Sequence, residues 1–149
     1  MKNFLKNLLS AEGRLNRIGF FHTAIFMLCL FILLSFMNSV YIRNTDGALT
    51  IYLYVKSLQT ALLLALWTPS IIKRLHDLDI KGNRVWVAWA ALLLDVHNLM
   101  LLNMHIALFL EKIQLLLFVF YAVVLIFYLA LFLMPGTRGS NNWGQPQNL

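Results

Sequence analysis

Residues 73–84 read KRLHDLDIKGNR, the one densely charged run in a chain of 149 residues that is otherwise mostly apolar. Six of the eighteen Asp, Glu, Lys and Arg side chains fall here (Lys73, Arg74, Asp77, Asp79, Lys81 and Arg84), with His76 among them. Long apolar stretches flank the run on both sides. Charge at this density belongs outside a bilayer, so the chain reads as two helical hairpins joined at this point. Composition agrees with that reading. Sixty per cent of residues are hydrophobic, twelve per cent are charged, and the mean hydropathy is +0.74. A single soluble core of this length cannot hide so much apolar surface.

Working outward, apolar stretches at about 18–40, 51–72, 85–106 and 113–134 predict four transmembrane helices. The first holds 23 residues without a formal charge, enough to cross a hydrocarbon core of about 30 Å. Arg14 and Arg17 precede it, it exceeds a signal-peptide apolar region, and no small-x-small site follows, so it reads as an uncleaved anchor. Pro69, near the far end of the second stretch, is expected to kink its last turns or begin the exit from the membrane. Residues 2–9 either form a short helix in the headgroup layer or fray as a terminus; both readings stand. The only cysteine, Cys29, lies inside the first stretch, so no intrachain disulfide is possible.

Charge then predicts orientation. Pairing the spans as hairpins puts segments 1–17, 73–84 and 135–149 on one side. That side carries nine cations (Lys2, Lys6, Arg14, Arg17, Lys73, Arg74, Lys81, Arg84, Arg138), against Arg43 and Lys112 on the other. The positive-inside rule therefore places both termini in the cytoplasm. Trp67 and Trp86 fall near the predicted inner boundary, as interface anchors do. The net charge of +6 does not point to nucleic acid, because the cations sit beside apolar spans, where anionic lipid is the natural counter-charge. The expected architecture is a single all-α integral membrane domain.

Three segments gather on the cationic side: Gly13-Arg14-Leu15-Asn16-Arg17, Lys73-Arg74-Leu75-His76-Asp77, and Pro135-Gly136-Thr137-Arg138-Gly139. Together they resemble the bacterial family called domain of unknown function 805, small inner-membrane proteins with a GRxxRxxF start, an RRLHD loop ending in Ser-Gly-Trp, and a PGTxGxNxYG tail. The resemblance covers nearly the whole chain. Lys73 stands for the first loop arginine, Asp79 for a usual glycine, Lys81-Gly82-Asn83 for Ser-Gly-Trp, and Trp143 for the tail tyrosine. The resemblance implies a fold and a bacterial inner-membrane location. It implies no reaction.

Arg14, Arg17, Lys73 and Arg74 are candidates for a cationic collar around a lipid or free phosphate, since arginine's planar fork binds two phosphate oxygens. Topology control and snorkelling explain the same residues without a ligand. His76, Asp77, Pro135, Gly136 and Thr137 form a structural or interaction motif, in which Asp77 is expected to pair with Arg14 or Arg17. Adjacent helical side chains diverge by about 100°, so His76 and Asp77 are not a ready catalytic dyad. No nucleophile or metal-ligand spacing accompanies them, and no cofactor is implied.

A second constellation lies within the spans. Asp95, Asn98 and His105 share one helical face of the third span, and Lys56 of the second stands within reach of Asp95. Either these form an intramembrane polar seam, or the third span ends early and they face the outer water. The functional expectation is a non-enzymatic inner-membrane protein whose cationic face contacts anionic lipid or a partner protein. A homodimer is plausible, although no GxxxG motif marks a helix interface. The alternative is a small transporter or proton path using Lys56, Asp95 and His105.

Overall fold

In the computed structural model, which describes residues 9–42, 48–100 and 111–145, the chain is helical throughout its elements. Among these residues there is no strand, only an isolated antiparallel bridge between Asn141 and Gly144. Helix α1 is Arg17–Ile42 and α2 is Ala48–Asp77. A 3-10 turn at Gly82–Val85 leads into α3, Trp86–Trp89, and α4, Leu92–Met100, and the last helix, α5, is Gln114–Leu133. Helices α1, α2 and α5 are long and apolar enough to cross a membrane. Phe26, Leu33, Phe36, Leu62, Phe118 and Ile126 face outward from them, a surface that suits lipid rather than water. Residues 2–8 of the expected interfacial helix lie outside the described residues.

Helix α1 begins where Asn16 can cap it. Its Oδ1 accepts the Gly19 N–H at 2.7 Å and its carbonyl accepts the Phe20 N–H at 2.9 Å. Helix α5 stops before Pro135, which forces Met134 into an extended conformation (ψ 134). Pro69 does not end the helix. Helix α2 continues past it through Lys73, Arg74, His76 and Asp77, so the first part of the expected loop is helix. The proline removes one backbone donor, but the turn beyond it is locked by the buried contacts described below.

Helix α2 ends in a Schellman turn. Ile80 N–H donates to the Leu75 carbonyl at 2.9 Å and Asp79 N–H to the His76 carbonyl at 3.1 Å, with Asp79 at φ 59. Ile80 also packs on the apolar cluster that contains Leu75. The left-handed position explains the glycine usual there in the resembled family, and an L-residue costs about 1 kcal/mol in it. Asp79→Gly should therefore raise the thermal unfolding midpoint in detergent, and Asp79→Ala should lower it. A lower midpoint for the glycine variant would rule this account out.

The third span is not the continuous helix expected over 85–106. It breaks at Ala90 and Ala91, between α3 and α4, and residues 101–106 lie outside the described residues. The reason is a contact with another helix. The Ala88 carbonyl accepts both the Ala91 N–H and the Tyr128 hydroxyl of α5, each at 3.1 Å, which draws it out of the regular ladder. The broken segment still follows α2 and α5. Trp89 Nε1 donates to Thr68 Oγ1, Lys56 meets Asp95, and Tyr121 O–H meets His97 Nδ1 at 3.3 Å.

The packed core lies toward one end of the bundle. Leu15, Phe20, Leu64, Ile71, Leu75, Ala88 and Leu131 form it. Trp67 packs into this end of the bundle. Its ring stacks between Phe20 and Tyr128, with centroids at 5.3 and 6.0 Å, and its Nε1 reaches Thr23 Oγ1 at 3.3 Å.

Candidate functional site

The core is capped by a buried ionic cluster assembled from the three motif segments. Asp77 ends α2, Arg74 lies one turn before it, and Arg14 arrives from the segment leading into α1. Arg74 is 0% exposed, Asp77 3% and Arg14 5%. Asp77 Oδ1 accepts from Arg14 Nε at 3.1 Å and Nη2 at 2.9 Å, and Asp77 Oδ2 accepts from Arg74 Nη1. One carboxylate thus serves two guanidiniums, and the excess positive charge needs further acceptors.

Backbone carbonyls supply them. Arg14 Nη1 donates to the Gly139 carbonyl at 2.7 Å and the Gly144 carbonyl at 3.3 Å. Its Nη2 reaches the Thr137 carbonyl at 2.7 Å and Thr137 Oγ1 at 3.0 Å. Arg74 Nε donates to the Leu131 carbonyl at 2.8 Å, and its Nη2 to the Met134 carbonyl. Leu131 and Met134 lie at the end of α5, so Arg74 satisfies carbonyls the helix leaves open and sits at the negative pole of its dipole.

The tail is threaded through the same cluster. Thr137 N–H donates to the Asp77 carbonyl at 2.9 Å, and Asn141 Nδ2 donates to the His76 carbonyl at 2.8 Å. The Leu15 N–H donates to the Lys73 carbonyl at 3.1 Å, tying the N-terminal segment to α2. Gly136 passes so close to Asp77 that a Cβ there would lie 2.6 Å from the carboxylate carbon.

His76 points elsewhere. Its Nδ1 lies 3.2 Å from the Gly13 carbonyl, which can only accept, so Nδ1 carries the proton. Its ring stacks on Trp143 at 3.8 Å with an interplanar angle of 2°. His76 and Asp77 therefore serve different partners and form no dyad. Among the described residues, no group of three His, Cys, Asp or Glu could hold a metal ion.

The expected collar of Arg14, Arg17, Lys73 and Arg74 does not form as one exposed surface. Arg14 precedes α1, so it does not share a helical face with Arg17. All five of its N–H groups are spent internally, and Arg74 is buried, so neither offers a fork to a headgroup. Arg17 is exposed and Lys73 half-buried. Beside the cluster lies a hollow of about 290 Å³, lined by Arg14, Asn16, Arg17, Asp77, Gly136 and Thr137 among others. Pro135 lines it too. Exposed Lys81, Arg84 and Arg138 lie in the connecting loop and tail at this end, with Glu12 and Asp79 as exposed acids.

The polar residues within the helices form separate contacts. Lys56 Nζ is 3.5 Å from Asp95 Oδ1, linking α2 and α4. Gln59 is buried and joins α2 to α1, accepting from Asn38 Nδ2 at 2.8 Å and donating to the Phe31 carbonyl and Ser35 Oγ at 3.0 Å each. The Asn98 side chain and His105 lie outside the described parts, so the expected continuation of the seam is not placed.

Sequence reasoning passed over Asn141 and Trp143 as contact residues, although both occupy positions of the tail pattern. It also passed over Gln59, whose amide at mid-span was the available signal.

Comparison with known proteins adds one match. The family described as protein of unknown function (DUF805) matches residues 8–145, which include all three segments of the cluster. No curated protein and no solved structure matches the chain. The Arg14–Asp77–Arg74 cluster thus sits within the matched region, and the chain belongs to the DUF805 family.

Proposed function

We propose that this chain is a non-enzymatic, multi-pass protein of a bacterial inner membrane, with four spans and both termini in the cytoplasm. Its cationic end meets anionic lipid headgroups or a partner protein. One observation carries the reading. The N-terminal segment, the end of α2 and the tail are hydrogen-bonded together at one end, and Arg17, Lys81, Arg84 and Arg138 are exposed around that junction. The positive-inside rule assigns such an end to the cytoplasm. The partial course of α3 and α4 along α2 supports a fourth crossing, because the chain leaves this end at Gly82 and returns to it through α5.

Single cysteines at positions 12, 83 and 142, in a Cys29→Ala background, test the orientation. A membrane-impermeant thiol reagent should leave all three unlabelled in intact cells and label them after the inner membrane is opened. Labelling of any of them in intact cells overturns the orientation. A second reading, a small transporter or proton path, is favoured by the Lys56–Asp95 pair, since an ion pair within spans is a costly feature to retain without use. Proton or solute flux into vesicles that disappears in Asp95→Asn would support it.

A further inference from the structure

The hollow beside the ionic cluster does not end there. Its lining residues Arg17 and Ile18 also line a second hollow of about 370 Å³, together with Phe21 and Phe132. Phe21 and Phe132 in turn line a third, of about 420 Å³, which runs between α1, α2 and α5 past Ala24, Leu28, Trp67 and Tyr128. Adjoining through these shared lining residues, the three are taken together as one cleft. It is apolar along the helices and polar at its mouth, where α1 and α5 meet through the edge-to-face pair of Phe21 and Phe132 at 6.4 Å.

Bulk lipid tails fill any groove in a bilayer, so the apolar part alone selects nothing. Selection must come from the mouth. There Arg14 and Arg74 against Asp77 leave one net positive charge, and Arg17 adds another. Arg17 has no side-chain partner among the described residues, while both oxygens of Asp77 are already taken by the buried guanidiniums. Arg17 is also the first residue of α1, where the apolar sequence begins, and with this end at the inner face it stands at headgroup level. Each of the three volumes is of ligand size or close to it, against a usual span of about 300–1,000 Å³ for small-molecule sites.

We infer that this cleft is a binding site for one anionic glycerophospholipid, with the phosphate at Arg17 and one acyl chain lying along α1 past Phe21 toward Trp67. The inference rests on the reading that this end faces anionic headgroups, and narrows it to a single site.

Trp67 lines the cleft and Trp86 is exposed directly after the charged loop, so each can report alone when the other tryptophans are replaced by phenylalanine. The two single-tryptophan proteins are placed in phosphatidylcholine vesicles containing spin-labelled phosphatidylglycerol or spin-labelled phosphatidylcholine at equal mole fraction. Trp67 should be quenched by the anionic probe with a preference of about fivefold, the size one surface cation supplies. Arg17→Gln should abolish that preference, and Ala24→Phe, which fills the cleft, should reduce quenching by both probes. Equal quenching of Trp67 by the two lipids overturns the site. If Trp86 still prefers the anionic probe in that case, the headgroup-facing reading survives without the cleft; if it does not, both fall. Protection of Trp67 from both probes, as a second copy seated in the cleft would give, also overturns it. Arg17 is exposed, so its variant folds even where Ala24→Phe does not.

Discussion

Asp77→Asn is expected to be the most damaging conservative substitution in the chain, lowering stability by about 3–5 kcal/mol, the loss typical when one partner is removed from a buried ionic cluster. The change keeps the shape and removes the charge. Arg14 and Arg74 would then share a buried site with no anion, and the new amide would turn N–H donors toward a guanidinium that can only donate. The backbone acceptors at Leu131, Thr137 and Gly139 remain, but they are dipoles and do not neutralise two cations. The thermal midpoint in detergent measures the loss. Arg17→Gln at the exposed edge provides the comparison and should lie within about 0.5 kcal/mol of the parent protein. An Asp77→Asn protein as stable as Arg17→Gln would mean that the carbonyls alone hold the cluster, and the ionic account would fail.

Much of this end of the molecule is legible in the sequence. A carboxylate set among cations must find one, and Asp77 does meet Arg14. The apolar lengths define α1, α2 and α5 because a bilayer demands about twenty apolar residues of a helix, a constraint that needs no tertiary knowledge. What the sequence leaves unreadable depends on distant backbone. Arg74 turns inward because the carbonyls of Leu131 and Met134, some sixty positions on, lie open at the end of α5. No local pattern distinguishes that arginine from Arg17, which stays exposed. The break at Ala90 and Ala91 has the same origin, since the Tyr128 hydroxyl that draws on the Ala88 carbonyl comes from another helix. Tryptophan at a predicted boundary is equally ambiguous: Trp86 is exposed there, whereas Trp67 is absorbed into an aromatic stack. The tail pattern marks Asn141 and Trp143, yet only the folded chain shows that they rest on the His76 carbonyl and the His76 ring.

Gly136→Ala should be the second severe change, although it removes no contact. The added Cβ would sit 2.6 Å from Asp77 Cγ and 2.8 Å from Oδ1, and nearer still to Oδ2. Neither side can yield cheaply. The carboxylate is held by two guanidiniums, and the tail is pinned on either side of the clash, by Pro135 after α5 and by the Thr137 N–H on the Asp77 carbonyl. Relief requires the tail to lift, which also releases the Arg14–Thr137 and Asn141–His76 bonds. A loss of about 3 kcal/mol follows, the upper part of the range for overpacking. Trp143 reports the route: as the tail leaves His76, its emission should shift to longer wavelength. Gly139→Ala separates this clash from glycine backbone strain, because Gly139 has φ 85 with nothing within 4 Å of an added Cβ, and its cost should be only about 1–2 kcal/mol. A double variant sharpens the test. In a Gly136→Ala background the Asp77→Asn change should cost much less than it does alone, since the lifted tail has already opened the cluster. Additive losses would mean that Gly136 and Asp77 act independently, and that the tail is not docked on the carboxylate as the fold requires.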